Sequence, residues 1–378
     1  MQQPRLWPTF DRRLRSTAIT ARVGRLLGIT FGICFVTGLL SHYQYHPWTW
    51  LPVPAAPAWG YRLTQGLHVL TGIATIPLLL VKLWSVFPLL FQWPPARSVV
   101  HAVERLSIAV LVSSALVEVT TGLLNILQWY PWMFSFVSVH HWLAYVVAGS
   151  VLLHLAVKLP AVRRGLAEPL WTAPAPDALE PGSDAPAGGI SRRGVLIASG
   201  AGVGVVALTT VGQVVPTLEP IALLAPRRPK QGPLGVPINK TAASAGVQVP
   251  ASYRLTVLGP RPFDLDLTTV EALPFVERHT PLACVEGWSV SARWGGASLV
   301  DLVRRGGGDG GSTVHVVSLQ QGGYGSSTIR GSELRAALLA THLNGHRITL
   351  DHGYPVRLIA PDRAGVLNTK WITRLEIQ

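Results

Sequence analysis

Thiols are scarce in this chain: 378 residues hold two cysteines, Cys34 and Cys284. Cys34 lies in an apolar run and Cys284 near the C-terminus, so a disulfide scaffold is excluded. Charge is also scarce. Only 13% of residues are Asp, Glu, Lys or Arg, against about 25% in an ordinary soluble domain. Acidic residues are the scarcer sign, 19 against 32 Lys and Arg, for a formal charge of +13. The placement of the positive charge argues against nucleic acid. Arg5, Arg12, Arg13, Arg15, Arg22 and Arg25 precede the first apolar run, and Arg163, Arg164, Arg192 and Arg193 sit between later ones. That is the positive-inside pattern of a membrane protein. A cleavable secretory signal is not expected, because a long basic tail precedes the first run and further spans follow it. The glycine cluster around Gly306 lacks the Lys-Ser/Thr ending of a phosphate loop. No positioned histidine marks Cys284 as a protease nucleophile.

What is present is long apolar sequence, with a mean hydropathy of +0.34. A span needs roughly 20 apolar residues. Five stretches meet this: 23–40, 63–84, 101–127, 137–159 and 194–215. The loops "HYQYHPWTWLPVPAAPAW" and "QWYPWMF" carry no Lys or Arg and are rich in Trp and Tyr, as outer-face connections are. The spans thus predict a cytoplasmic N-terminus and an extracytoplasmic chain after Pro216. The expected segments are a basic tail (1–22), a four-helix membrane domain (23–160), a Pro/Ala/Gly-rich cytoplasmic linker (161–190), a fifth span (191–216) and an outer domain (230–378). In that domain "YRLTVLG", "STVHVVSL", "HRITL", "PVRLIAP" and "ITRLEI" have strand character. "GGASLVDLVRRGG" and "GSELRAALLATHL" read as short helices. The irregular alternation predicts α+β.

Ionisable groups inside a bilayer are costly and mark function by default. His140 and His154 in the fourth span are 14 residues apart. That is nearly four helical turns, so both face one side, roughly 21 Å apart. Two imidazoles at two depths suit two stacked haems, each needing a second ligand from another helix. Depth pairs His68 with His140 and His101 with His154. Helix-packing histidines are the alternative. His42 and His46 read as wet loop residues or a quinone-side feature, and Glu118 as a packed carboxyl or part of a proton path. The four spans resemble bacterial di-haem cytochrome b subunits, which exchange electrons with membrane quinones. They depart from some relatives in lacking a histidine in the cytoplasmic half of the first span. Ser191-Arg192-Arg193 before a Gly/Ala-rich run resembles a twin-arginine export signal, with plain positive-inside anchoring as the other reading.

From chemistry alone Cys284 has three readings: a buried apolar residue, a nucleophile or a soft-metal ligand. Its surroundings add to this. "ACVEGWS", "WGGASLVDLV" and "HGYPVRLIAPDRAGVLNTKWITRLEI", in that order, resemble the sulfite-oxidase-type molybdopterin family across Tyr253 to Gln378. The resemblance implies that Cys284 is the thiolate on molybdenum, a sensible soft ligand. It implies pterin or phosphate contacts from Asn239, Ser318, His352, Arg357, Asn368, Thr369 and Lys370. Where many relatives carry Asp-Gly-Tyr, this chain has Gly322, Gly323 and Tyr324. The immunoglobulin-like domain of true sulfite oxidases is not seen, which makes the chain more similar to periplasmic sulfoxide-reductase catalytic subunits that work with a haem-containing membrane partner. The expected function is a membrane-bound molybdenum oxidoreductase with molybdopterin and two b-type haems, exchanging electrons with quinone and reducing an S- or N-oxide such as a protein sulfoxide. Sulfite oxidation in the reverse direction, and a cofactor-free membrane scaffold, are the alternatives.

Overall fold

The computed structural model describes residues 16–48, 50–91, 96–169 and 192–378. Most of the basic tail, most of the linker and Ser191 of the twin-arginine stretch lie outside the described residues. The chain divides into two compact units. One comprises Met1–Phe35 and Leu70–Leu208, the other Val36–Val69 and Thr209–Gln378. The second unit therefore joins the 36–69 stretch, which includes the predicted loop between the first two spans, to the C-terminal domain.

The N-terminal region is helical: α1 (Thr17–Tyr45), α2 (Gly60–Val86), α3 (Val99–Leu127), α4 (Phe136–Ala167) and α5 (Arg192–Val211). Among the described residues, five helices are long and apolar enough to cross a membrane. Local signals set their ends. Ser98 caps α3 by accepting from His101 N, and Ser135 caps α4 by accepting from Ser138 N; such caps satisfy donors the first turn leaves over. α5 ends at Val211, short of the predicted Val215. Gly212 approaches the Leu218 carbonyl so closely that a Cβ would lie 2.1 Å from it, and a 3₁₀ turn begins at Pro216. Within the first unit, polar residues tie the helices together. Arg22 of α1 donates to the Gly165 carbonyl of α4 (3.0 Å), and Lys82 of α2 donates to the Thr20 carbonyl of α1 (2.9 Å).

The C-terminal domain carries two sheets. In the first, β1 (Arg254–Leu258), β2 (Phe263–Asp266), β5 (Thr313–Ser318), β6 (Ser326–Arg330) and β10 (Ile372–Ile377) run in the order β2-β1-β10-β5-β6. Only β1 and β10 are parallel within it. The second sheet orders β3 (Val276–Ala283), β4 (Ser289–Ser298), β7 (Leu338–Leu343) and β8 (His346–Arg347), with β9 (Arg357–Ile359) also on β7. Short helices α6 (Leu267–Glu271), α7 (Leu299–Arg305) and α8 (Gly331–Ala336) connect them. Leu255, Val257, Leu299, Val314, Val316, Ile329, Leu334 and Leu375 form a core fully shielded from solvent. β5 buries alternate residues, as a strand with one wet face should.

One predicted helix is half wrong. "GSELRAALLATHL" is helical only through Ala336; Leu338 to Leu343 form the central strand β7. Ala and Leu favour helix locally, but pairing on both sides, with β4 and β9, overrides that preference.

Candidate active site

Strands β3 and β4 form a hairpin whose last pair is Ala283 with Ser289. Cys284 to Trp288 are its loop. Cys284 N donates to Trp288 O (2.9 Å), and Gly287 N donates to Cys284 O (3.0 Å). Gly287 sits at φ +95, where a side chain would be strained. Glu286 turns inward and is 2% exposed. It accepts from Trp288 Nε1 (2.9 Å) and Arg227 Nε (2.7 Å). The loop is thus held by its own main chain and by one buried carboxylate. Glu286→Ala strands the buried Trp288 indole N–H and takes the carboxylate from the half-buried Arg227, and should cost about 2 kcal/mol. A thermal-melt comparison with Glu286→Gln, which keeps an acceptor, checks this; equal melting of the two variants would count against it.

Cys284 lies 2% exposed among Leu282, Trp288 and Val290. Burial, and then Glu286, push its thiol well above the ordinary range, while Arg227 and Lys370 pull the other way. An unliganded thiol here is neutral. Metal binding has to displace its proton.

Beside Cys284 opens a cleft lined by Pro237, Asn239, Leu282, Trp288, Arg357, Gly365 and Lys370. Arg357 begins β9 and is 2% exposed, over the Trp294 ring at 5.2 Å. Its Nη1 donates to His352 O (2.9 Å) and its Nη2 to Asn368 O (3.1 Å). Its Nε is buried with no partner among the described residues. Burial pushes the guanidinium down to about 9. Lys370 donates to Asp351 O (2.7 Å), Lys240 O (2.9 Å) and Asn239 Oδ1 (3.4 Å). Burial first, and then Arg357, push it down to about 7. A buried guanidinium with an unanswered donor and a half-buried ammonium, both held by carbonyls and neutral groups, suit a bound anion. A soft sulfur stands at the same cleft. These residues fit a molybdopterin: Arg357, Lys370 and Asn239 for its polar end, Cys284 for its metal.

The other residues singled out from sequence stand behind this lining. Both ring nitrogens of His352 are engaged by protein, Nε2 donating to Val236 O (3.0 Å) and Nδ1 facing Thr349 Oγ1 (2.9 Å). Burial lowers its pKa to about 4, so the ring is neutral. Its carbonyl is what positions Arg357. Asn368 accepts from Ala360 N (2.9 Å), Thr369 pairs with Ser327 (2.7 Å), and Ser318 donates to Lys370 O (2.7 Å). Each fixes a strand end next to a cleft residue.

Sequence reading missed Trp288, Gly365 and Asp362. A Cβ on Gly365 would sit 2.8 Å from Ala283 O, so only glycine lets the 364–365 chain approach the thiol loop. Asp362 adopts φ +51, which Asp tolerates better than most residues. Its Oδ1 accepts from Tyr61 N at the start of α2 and from Gln44 Nε2 (3.3 Å). Burial pushes this carboxyl up to about 6. A raised carboxyl stabilises the fold while protonated, so its contribution is present below about pH 4 and is lost as pH rises through 6. With two donors still facing the charged form, the loss should be about 1 kcal/mol. Asp362→Asn should flatten melting temperature between pH 4 and 7; a variant with the wild-type slope would remove Asp362 as its source.

The histidines of the long apolar helices divide between the two units. His68 packs against Gly38, where a Cβ would lie 2.8 Å from the ring. In the other unit, His140 Nδ1 contacts Glu118 O (3.0 Å) and Thr121 Oγ1 (3.3 Å), with Nε2 3.3 Å from Glu118 Oε1. His101 Nδ1 accepts from Arg97 N (3.2 Å). His101 and His154 both lie in electrostatic reach of Glu104, which pairs with Lys158. Among the described residues no cluster of three or more metal-ligating side chains occurs.

Comparison with known proteins places the C-terminal segment beside one family. Residues 242–378 match the family described as oxidoreductase molybdopterin binding domain. The chain is 34% identical over 161 residues to sulfite oxidase of Gallus gallus, covering 34% of this chain and 35% of that protein. It is 31% identical over 160 residues to the protein-methionine-sulfoxide reductase catalytic subunit MsrP of Ralstonia nicotianae, covering 37% and 48%. The chain thus spans a third to a half of the length of these relatives. Residues 242–378 thus match a molybdopterin-binding oxidoreductase domain and are similar to parts of sulfite oxidase and of a methionine-sulfoxide reductase catalytic subunit.

Proposed function

We propose that this protein is a membrane-bound molybdenum oxidoreductase that passes electrons from quinol, through b-type haems, to an outer-face molybdopterin centre, and there reduces an S- or N-oxide. The observation that carries this is Cys284 on a fixed hairpin loop, at a cleft whose buried Arg357 has an unanswered donor. The bound metal would supply two-electron oxygen-atom transfer, in which a sulfoxide takes up two electrons and two protons and leaves as a sulfide and water. The chain's own share is to hold the thiolate, neutralise the pterin phosphate with Arg357 and Lys370, and exclude water from the loop.

The long apolar helices support membrane residence: residues such as Leu106 and Leu152, 65% and 68% exposed, suit a lipid surface. The haem reading rests on donor chemistry. The Nδ1 of His140 is engaged by a main-chain carbonyl, the outer contact that typically orients a metal-ligating imidazole and leaves Nε2 for iron. Glu118 would then move from ring partner to neighbour. His68 with His140, and His101 with His154, are the proposed ligand pairs. Arg192 and Arg193 serve, in this reading, to export the loaded domain across the membrane. Sulfite oxidation, with electrons flowing inward, is the second reading, favoured by the similarity to sulfite oxidase.

The test is substrate-dependent reoxidation of the dithionite-reduced, full-length protein in detergent, across sulfoxides, N-oxides and sulfite. A b-type difference spectrum that a sulfoxide bleaches supports the proposal. Haem reduction by added sulfite reverses the direction. Absence of a haem band, or of molybdenum by mass spectrometry, removes the corresponding cofactor.

A further inference from the structure

We propose that Tyr45 and Tyr61, carried by α1 and α2 rather than by the molybdopterin domain, form with Tyr324 the substrate side of the Cys284 centre and restrict it to small substrates. This rests on the function proposed above. It begins from a stripe on α2. Tyr61, Gln65 and Val69 recur every four residues, so they share one face, and they are 2%, 8% and 4% exposed. Each meets the thiol loop or its flank. Tyr61 packs with Ala283 and Ala364, which flank Cys284 and Gly365. Gln65 Nε2 donates to Val285 O (2.6 Å), the carbonyl next to the cysteine. Val69 fills the space at Gly287, where a Cβ would lie 2.8 Å away.

The helix ends are anchored there. Asp362 accepts from Tyr61 N and Gln44, and a Cβ on Gly60 would come within 2.6 Å of its carboxylate. Tyr45 packs on Val366 and Leu367. Its ring meets that of Tyr324 edge-on at 6.1 Å. The Tyr61 hydroxyl lies in electrostatic reach of Cys284, Tyr45 and Tyr324. Tyr61 thus stands against the hairpin that carries the thiol, with Tyr45 in the same cluster and Tyr324 on Tyr45.

The consequence is chemical and steric. A phenol O–H is a donor suited to the oxygen of an S-oxide or N-oxide. The cleft on the cation side is taken by the pterin in this reading, so substrate reaches the metal past the tyrosines. A sulfoxide on a peptide brings main chain on both sides and needs that wall removed. The substrate class is therefore a small, free S- or N-oxide rather than a protein-borne one.

The experiment uses the full-length chain in detergent with two readouts. In cofactor-free protein, alkylation of Cys284 by iodoacetamide is followed by peptide mass spectrometry, which separates it from Cys34. Tyr45→Ala should raise that rate about tenfold, and Tyr61→Phe, which keeps the ring, should leave it near wild type. In molybdenum-loaded protein, dimethyl sulfoxide is compared with a methionine-sulfoxide peptide. Wild type should favour the small substrate by about 100-fold in kcat/KM, and Tyr45→Ala should narrow the gap about tenfold, mainly through KM for the peptide, at unchanged molybdenum content. Unchanged Cys284 labelling in Tyr45→Ala overturns the wall, as does equal use of both substrates by wild type. Loaded protein that turns over neither substrate defeats the reductase reading instead, and labelling then decides the wall on its own.

Discussion

Cys284→Ser should leave a folded protein with almost no turnover, down by roughly three orders of magnitude, the scale seen when a group that stabilises the reacting centre is lost. The change is nearly isosteric. It puts a hydroxyl into a pocket of Leu282, Trp288 and Val290, at a cost of about 1–2 kcal/mol. The hairpin itself is held by main-chain bonds at Cys284 N and O, which serine keeps. What changes is the donor atom. A serine oxygen is hard and far more basic than a thiolate, so it is a poor partner for a soft redox metal. Molybdenum measured by mass spectrometry should fall with activity, while melting temperature moves little. A serine variant with wild-type metal and turnover would end the assignment of Cys284 as ligand.

Arg357→Met should separate two properties that usually move together. In cofactor-free protein its melting temperature should stay within the equivalent of about 1–2 kcal/mol of wild type. A buried cation without a carboxylate partner is expensive, and a methionine of similar length removes that cost. Against this, the His352 and Asn368 carbonyls lose their donors. Cofactor retention should behave otherwise. Loss of a charge-assisted contact to phosphate costs about 2–3 kcal/mol, or roughly 30–150-fold in affinity. Pterin content after dialysis, read by fluorescence of the released oxidised pterin, measures this. A variant that melts far below wild type yet keeps its pterin would make Arg357 a structural residue rather than a phosphate contact. Lys370 offers the comparison. Its three acceptors are two carbonyls and the Asn239 side-chain oxygen, so Lys370→Met should weaken retention in the same direction.

Much of this molecule was readable along the chain. Five apolar stretches announce five long helices, because a continuous run of apolar residues is a local property. The strand segments at 254–258, 313–318 and 372–377 follow from β-branched residues between turn formers. Cys284, Arg357 and Lys370 were legible because their motifs are contiguous: the thiol sits in one hairpin loop, and Arg357 and Lys370 bracket one short return. Their roles as lining residues agree with their neighbours in sequence. His352 shows the limit of that method. It stands in a conspicuous motif, yet its ring is fully engaged by Val236 and Thr349, and it acts through its carbonyl.

Other features exist only once the chain has folded. Leu338 to Leu343 became a strand because β4 and β9 pair with it from both sides, which local helix preference does not reveal. Tyr61, Gln65 and Val69 look in sequence like one turn-by-turn face of a membrane helix. Only folding brings them to Ala283, Val285 and Gly287, more than 200 residues away. Periodicity says which residues share a face; it does not say what that face meets. Local sequence was enough for the helices, the thiol and the cations. Folding brought the Cys284 loop against the start of α2 as well as its own domain, because burying that loop requires surface from outside its own sheet.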